Sequence, residues 1–234
     1  MIDFHSHILP GIDDGSQHVQ DSLEMLRRLC AQGVDTVVLT PHFYAERNSV
    51  EQFLARRQGA FDRLREALPD DVPQLLLGAE VLYYPGISHL EQLTKLCISE
   101  THVLLLEMPF SRWSEYEVRE VCEMASGGDV TVLLAHIERY LAFQKQEVWE
   151  RLLDCGVLMQ SNAEFFLAPV LRRRALQLLR KDRIHVLGTD THNLTTRAPH
   201  MDAAMAYIKK HLGAEYGEFF ERRGYDFLEY WSRG

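Results

Sequence analysis

The chain alternates short apolar runs with segments whose apolar residues recur at helical spacing. Between residues 22 and 32, Leu23, Leu26 and Leu29 lie on one helical face, and Gly33 follows as a helix stop. The apolar runs are mostly continuous rather than alternating, which is typical of parallel strands buried on both faces of a sheet. Seven strands are predicted in this way, at residues 1–4, 36–40, 74–80, 103–107, 130–136, 157–162 and 184–190.

Helices are predicted between most of these strands, as expected for a parallel sheet built from strand–helix–strand units. Ser49 and Gln52 form a capping box that indicates the start of the second helix. The predicted helices cover residues 22–32, 49–67, 115–125, 146–155 and 170–181, and two amphipathic helices close the chain. This alternation fits either a closed or distorted barrel or an open doubly wound sheet. No linker or repeat interrupts it, so a single domain over residues 1–234 is expected.

Side chains that can bind metals occur at the ends of most predicted strands. They are His5, His7, Asp14, His42, Glu80, Glu107, His136, Asp190 and His192. His5 and His7 are two residues apart on extended chain, so both rings point to the same side, and Asp190 and His192 repeat this spacing. Because the carboxyl ends of barrel strands meet at one rim, these groups are expected to converge there. An open sheet would concentrate its site at one switch point, so their spread favours the barrel.

These candidate ligands are imidazole and carboxylate groups without a thiolate, a donor set that favours zinc, manganese or iron. Glu80 and Glu107 each end a Leu-rich run, where a carboxylate has no packing role. Nine ligands exceed the needs of one ion, and bridging carboxylates would let them hold two or three. Clustered divalent ions suit phosphoryl transfer, because they activate water and bind both the attacking and the leaving oxygen.

The composition and the cysteine positions exclude some functions and indicate a cellular compartment. The 234 residues are 46% hydrophobic, enough for one sizeable core, and the net charge of −9 gives no basic footprint for nucleic acid. The four cysteines form no CxxC pair, which indicates a reducing compartment. None has an arginine six positions later, so a C-x5-R cysteine phosphatase is excluded. No signal peptide and no membrane-spanning run is visible, so a cytoplasmic protein without membrane insertion is expected.

The segments that carry the candidate ligands resemble a known superfamily. They read IDFHSHILPGIDDG, LTPHF, GAEVLYY, LLLEMPF, AHIERY and GTDTHN, with RAPHM following. In this order and spacing they resemble the PHP (polymerase and histidinol phosphatase) superfamily, from Met1 to about Met201. More narrowly, they are similar to the metal-dependent protein-tyrosine phosphatases of bacterial capsule and exopolysaccharide operons, the CpsB/YwqE type. The combination of DDG, HIERY and TDxHN is specific, whereas HxH alone is common.

The resemblance implies a fold and a ligand set. The fold is a distorted (β/α)7 TIM-like barrel that holds two to three divalent ions at the C-terminal rim, manganese first, with iron or zinc as alternatives. His5, His7, Glu80 and Asp190 would hold one ion, Glu80, Glu107 and His136 a second, and Asp14, His42 and His192 a third. Arg139 and Arg197 match phosphate-binding arginines and are the expected catalytic residues. Without the resemblance, Arg139 could form a surface ion pair with Glu138, and Arg197 could be a solvated loop residue.

The resemblance also implies an activity. The expected reaction is hydrolysis of phosphotyrosine on a bacterial tyrosine autokinase, which would regulate exopolysaccharide and capsule biosynthesis. A metal-bound hydroxide would attack phosphorus without a covalent intermediate. Five aromatic residues could line a groove for the phenyl ring or simply pack at the rim: Tyr83, Tyr84, Phe110, Trp113 and Tyr140. The alternatives are another PHP phosphoesterase, acting on histidinol phosphate or a nucleotide, and a non-enzymatic metal-binding module, which would require lost ligands.

Overall fold

The backbone alternates strands and helices nearly as predicted in the computed structural model, which describes residues 1–232. The strands are β1 (Ile2–Ser6), β2 (Thr36–Leu39), β3 (His42–Phe43), β4 (Gln74–Leu77), β5 (Glu80–Leu82), β6 (Val103–Glu107), β7 (Thr131–Leu134), β8 (Leu158–Asn162) and β9 (Val186–Gly188). The helices are α1 (Val19–Ala31), α2 (Val50–Arg65), α3 (Glu115–Ser126), α4 (Gln146–Asp154), α5 (Arg172–Arg180), α6 (Met201–Leu212) and α7 (Ala214–Tyr230). The predicted capping box of α2 is confirmed, with Ser49 and Gln52 bonded reciprocally.

Every pairing between these strands is parallel, and the sheet curls. The strands form two groups, in the orders β1–β2–β4 and β3–β5–β6–β7–β8–β9. A single parallel bridge between Ser6 and Thr191 connects the end of β1 to the segment after β9. The fold is therefore an α/β fold with a curled parallel sheet, and the segments that follow the strands meet on one side.

Two predicted strands are interrupted in a way that the apolar pattern did not reveal. The single strand predicted at 74–80 is wrong, because β4 ends at Leu77 and β5 begins at Glu80. The run at 36–40 ends at Leu39, and the chain resumes pairing as β3 after Pro41. Proline has no N–H to donate to a ladder, which explains a break at that position. The register then pairs His42 with Glu80, so the break itself places two candidate ligands side by side.

The core has two layers. The larger lies between the sheet and the surrounding helices, and the smaller lies inside the curl. The smaller layer contains strand residues such as Phe4, Leu105 and Leu133 together with Phe227 from α7. The ring of Phe227 meets that of Phe4 edge-on, with the centroids 5.4 Å apart. The C-terminal helix, for which the sequence offered no motif, therefore completes the inner core.

The structure also bears on the cysteines and on membrane insertion. All four cysteines are free thiols. Within residues 1–232, no helix is both long enough and apolar enough to cross a membrane.

Candidate metal centre

Four buried side chains converge at the end of β1. The Nε2 atoms of His5 and His7 lie 3.1 Å apart. Glu80 Oε2 lies 3.3 and 3.2 Å from these two atoms, and Asp190 Oδ1 lies 3.6 and 3.5 Å from them. These groups come from β1, from β5 and from the segment after β9, so residues far apart in sequence face one point. Two imidazole nitrogens and two carboxylate oxygens in this arrangement match a divalent-ion site.

Glu80 also faces a second group. Its Oε1 lies 2.8 Å from Nε2 of His136, which in turn lies 3.5 Å from Glu107 Oε1. Nδ1 of His42 lies 2.9 Å from Glu80 Oε2 and 4.0 Å from Glu107 Oε2. Glu80 is therefore placed between the two groups, as a bridging carboxylate would be.

A third group surrounds the exposed carboxylate of Asp14. Its Oδ1 lies 3.4 Å from Nε2 of His42 and 3.5 Å from Nε2 of His192. The ring of His192 packs against that of His7, with the centroids 3.9 Å apart. Potential ligand atoms of all four residues lie within 4.8 Å of one another. All nine predicted positions therefore lie in one continuous site, and His7 and His42 each face two of its groups.

Several buried atoms of this site lack hydrogen-bond partners. Within the described part of the chain these are Nδ1 of His42 and of His136, Oε2 of Glu80 and Nε2 of His192. His42 Nδ1 and Glu80 Oε2 lie close together, but their geometry does not make a hydrogen bond. A buried polar atom without a partner costs about 1–3 kcal/mol, so a native site usually supplies one. Three of them, His42 Nδ1, Glu80 Oε2 and His192 Nε2, lie among the candidate ligand atoms, and unpaired polar atoms there fit coordination of cations.

The backbone is strained at two of these positions. His136 has a φ of 30° and Asp190 a φ of 53°, in the left-handed region that residues other than glycine seldom adopt. Such strain persists only where the surrounding structure enforces it, and it is concentrated at functional sites. Both residues end predicted strand runs and lie two residues beyond the observed ends of β7 and β9, where the unusual turn aims each side chain into the centre.

Asp13 supports the site and was overlooked in the sequence, where only its neighbour Asp14 was chosen. Its carboxylate lies 2.8 Å from Nδ1 of His7 and accepts the backbone N–H groups of Gly15, at 2.9 Å, and His42, at 3.1 Å. Burial opposes ionisation of Asp13, but its bond to His7 lowers the pKa of the carboxyl. A carboxylate on the far nitrogen of a histidine fixes the ring for metal binding.

Strand β8 supplies two further supporting residues that are not among the ligands predicted from the sequence. Gln160 Oε1 accepts the backbone N–H of His136 at 2.6 Å and lies 3.3 Å from Nδ1 of His5. Asn162 Nδ2 donates to Asp190 Oδ2 at 3.0 Å. Their spacing of two residues at the end of a buried strand is the signal that would have identified them.

Both predicted arginines contact the same carboxylate. Arg197 Nη2 lies 2.7 Å from Asp190 Oδ1, and Arg139 donates to Asp190 Oδ2. Burial alone would lower the pKa of Arg139, but Asp190 and other nearby carboxylates raise it, so the guanidinium stays charged. Glu138 is not its ion-pair partner, because that carboxylate turns inward and accepts from Ser161 Oγ at 3.1 Å. About a third of each arginine side chain remains exposed.

Comparison with known proteins identifies relatives over nearly the whole chain. Residues 1–223 match a family model described as capsular polysaccharide synthesis, CpsB/CapC. The tyrosine-protein phosphatase YwqE of Bacillus subtilis is 30% identical over 224 residues, covering 92% of this chain and 86% of that protein. The tyrosine-protein phosphatase CpsB of Streptococcus pneumoniae is 31% identical over 232 residues, covering 92% of each.

A solved structure agrees with the sequence relatives. It is described as one of the crystal structures of YwqE from Bacillus subtilis and CpsB from Streptococcus pneumoniae, unique metal-dependent tyrosine phosphatases. It superposes with a TM-score of 0.82 at 28% sequence identity and covers 95% of this chain and 92% of its own. Sequence and structure thus indicate the same group of proteins.

Proposed function

The chain belongs to the capsular polysaccharide synthesis family CpsB/CapC, and on this basis we propose that it is a metal-dependent tyrosine-protein phosphatase. One observation of this chain's own structure supports the dependence on metal independently of family membership. Nine imidazole and carboxylate side chains meet in one continuous site, and four buried atoms there lack hydrogen-bond partners. A site built for structural reasons alone would satisfy those atoms within the protein.

The curled sheet is proposed to be a distorted (β/α)7 barrel that forms a single domain. The broken strands β2/β3 and β4/β5 count as one barrel strand each, which gives seven. The Ser6–Thr191 bridge supports closure between the first and the last of them. The inner apolar layer supports it too, because it gathers residues from both groups of strands.

The centre is proposed to hold two to three divalent ions, manganese first and iron or zinc as alternatives. One ion would use His5, His7, Glu80 and Asp190, a second Glu80, Glu107 and His136, and a third Asp14, His42 and His192. The shared position of Glu80 and the donor set of histidine and carboxylate support this assignment. When bound, such ions supply a water nucleophile near neutral pH and positive charge for phosphoryl oxygens.

Arg139 and Arg197 are proposed to bind the phosphoryl oxygens that face away from the ions. Their guanidinium groups lie beside Asp190, and the exposed part of each can turn toward a phosphate. Forked N–H donors suit phosphate geometry, and their charge stabilises the transition state. A phenol has a pKa near 10, so the leaving phenolate needs less protonation than an alkoxide would. Direct attack by water, without a covalent enzyme intermediate, fits the lack of a C-x5-R motif.

The physiological substrate is proposed to be phosphotyrosine on a tyrosine autokinase, with control of capsule or exopolysaccharide synthesis as the result. The family description and the relatives named as tyrosine-protein phosphatases support this partner class. An autophosphorylated kinase of this class should lose its phosphotyrosine signal when it is incubated with the manganese-loaded protein. If the protein hydrolyses a phosphotyrosyl peptide but the phosphotyrosine signal of the kinase persists, the physiological partner is a different protein.

Substrate preference tests the activity most simply. The manganese-loaded protein is assayed with a phosphotyrosyl peptide, a phosphoseryl peptide of matched sequence and histidinol phosphate. The proposal expects kcat/KM to be highest for the phosphotyrosyl peptide. Preference for histidinol phosphate would replace it with another phosphoesterase activity on the same metal centre.

A further inference from the structure

Phe110 presents an aromatic face beside the metal centre. It belongs to the loop between β6 and α3, and half of its surface is exposed. Its ring lies 5.9 Å from that of His136, measured between centroids, and the guanidinium carbon of Arg139 lies 5.8 Å from the Phe110 centroid. An exposed phenylalanine at this position contacts a candidate ligand and a candidate phosphate-binding arginine at once. Because only half of its apolar surface is removed from water, Phe110 stabilises the fold less than a fully buried phenylalanine would.

The surrounding residues hold this ring in place. Phe110 stacks on the buried ring of Tyr140, with the centroids 5.6 Å apart and the planes 22° apart. The hydroxyl of Tyr140 accepts the backbone N–H of Met108 at 3.0 Å, which fixes the start of the loop. Trp113 Nε1 donates to the carbonyl of Pro109 at 3.0 Å, and Gln144 Nε2 donates to the carbonyl of Ser111 at 2.7 Å. The loop is therefore tied on both sides of Phe110.

The other aromatic residues near the rim have different roles. Tyr83 is buried and donates its hydroxyl to Glu120 at 2.7 Å. Trp113 is buried between Tyr140 and Trp149. Tyr44 stacks on His42 at 5.2 Å, and Arg47 lies 4.6 Å from its ring centroid. Among the aromatic residues suggested by the sequence, Phe110 alone is exposed by half and contacts the centre through both His136 and Arg139.

We propose that Phe110 is a specificity-determining residue that packs against the phenyl ring of an aryl phosphate while the phosphoryl group lies on Arg139 and the metal centre. This inference rests on the proposed function and names how the same site selects an aromatic ester. A phosphate held by Arg139 would lie within reach of Phe110, because the two side chains are in contact. Two aromatic rings in an offset or edge-on arrangement attract each other beyond the effect of buried area. An alkyl phosphate has no ring and gains less from Phe110.

Binding measurements separate the affinity that comes from the phenyl ring from the affinity that comes from the phosphate. Calorimetric titration of the manganese-loaded protein with phenylphosphonate and with orthophosphate compares two anions that share oxygen donors but differ in the phenyl group. We expect Phe110→Ala to weaken phenylphosphonate binding about three- to tenfold, from the usual strength of aromatic pairs, and to leave orthophosphate binding unchanged. Phe110→Tyr, which keeps a ring, should restore phenylphosphonate binding. Phe143→Ala, at another exposed phenylalanine, serves as the matched control and should change neither.

The possible results are distinct. Equal weakening of both anions by Phe110→Ala would overturn the proposal, because Phe110 would then act by positioning Arg139 or His136. Unchanged phenylphosphonate binding would also overturn it. In turnover, Phe110→Ala should raise KM for a phosphotyrosyl peptide with little change in kcat, since stacking stabilises the bound and transition states alike. The wild-type substrate panel tests the proposed function separately, because the calorimetric titration requires no hydrolysis.

Discussion

Gly15 illustrates how single residues shape this centre. A Cβ added there would lie 2.1 Å from the carbonyl oxygen of His7 and 2.5 Å from its Cβ. Gly188 is similarly close, with an added Cβ 2.5 Å from Cβ of His5. These are backbone and Cβ contacts, so no side-chain rotation can relieve them. The absence of a side chain at two glycines therefore lets two histidines of the centre take their positions.

Gly15→Ala is expected to weaken manganese binding by about tenfold or more, because it must displace His7 or the Asp13 loop that orients it. Equilibrium dialysis with the metal counted in the protein fraction measures this change. Gly59→Ala provides the control, since an added Cβ in helix α2 would meet nothing closer than 3.9 Å. Unchanged metal affinity in Gly15→Ala would show that the close approach to His7 is unimportant.

Arg139→Ala separates phosphate binding from metal binding. The guanidinium contacts Asp190 but supplies no lone pair to an ion, so the metal content should be retained. We expect kcat/KM for a phosphotyrosyl peptide to fall by about 10²–10³-fold, the usual cost of one transition-state donor. Steady-state kinetics and metal analysis on the same preparation give both values. Loss of metal together with activity would instead assign Arg139 a structural role through Asp190.

At the scale of elements, the apolar pattern predicted most of the fold. Strand β6 and helix α3 lie at or within one residue of the predicted bounds, because a continuous apolar run marks the strand and helical spacing marks the helix. The breaks between β2 and β3 and between β4 and β5 were not predictable in this way. Pro41 is a local signal for the first break, but the pairing of His42 with Glu80 that follows depends on which strands become neighbours. Local sequence carries no direct record of that partner.

For the candidate site too, some residues could be predicted from the sequence and others could not. The nine proposed ligands could be chosen from their places at or after the strand ends, and the structure brings them together. Asp13, Gln160 and Asn162 were missed because they bind other protein groups rather than standing out as ligands. Their roles follow from contacts made across the fold. Similarly, only the structure distinguishes the exposed ring of Phe110 from the buried rings of Tyr83 and Tyr140.

Helix α7 is predicted to stabilise the curled sheet through the ring of Phe227. Phe227 is 8% exposed and packs on Phe4 in the inner layer. Phe227→Ala should lower the free energy of unfolding by about 3 kcal/mol, the usual cost of removing a buried phenyl group. Denaturant unfolding measures this, with Phe219→Ala on an exposed face of the same helix as the control. A loss as small as that of the control would show that α7 is peripheral.

The link between β8 and β9 should make stability depend on pH. Nδ1 of His185 accepts the backbone N–H of Met159 at 2.9 Å, and burial together with the charge of Arg223 lowers the pKa of His185 to about 4. The unfolded histidine has a pKa near 6.5. Between about pH 4 and pH 6.5, His185 therefore binds a proton in the unfolded state but not in the folded state. This contribution is therefore fully present above about pH 6.5 and is lost as the pH falls toward 4.

His185→Gln tests this dependence. Wild-type stability relative to the variant should fall by up to about 2 kcal/mol between pH 7 and pH 5, because glutamine does not titrate there. Urea unfolding at both pH values gives the comparison, and His89→Gln, at an exposed position, should behave like wild type. An equal pH dependence in wild type and His185→Gln would exclude His185 as the cause.

At the scale of the molecule, the centre draws on the whole length of the chain. Its first candidate ligand is His5 and its last is His192, and the fold brings ring nitrogens of both to within 3.6 Å of Asp190 Oδ1. Four of the nine candidate ligands are carboxylates, in a chain whose net charge is −9. Clustered buried carboxylates repel one another unless cations compensate. Bound metal is therefore expected to stabilise the folded state as well as to enable hydrolysis.

The most direct test follows phosphotyrosyl peptide hydrolysis and bound metal in the same sample, during thorough chelation and then during manganese add-back. Activity should disappear as the metal is removed and return as two to three ions rebind, while His136→Ala should bind fewer ions and remain inactive at saturating manganese. Hydrolysis that continues in the metal-free protein, or full activity in His136→Ala, would contradict a phosphatase that depends on this metal centre.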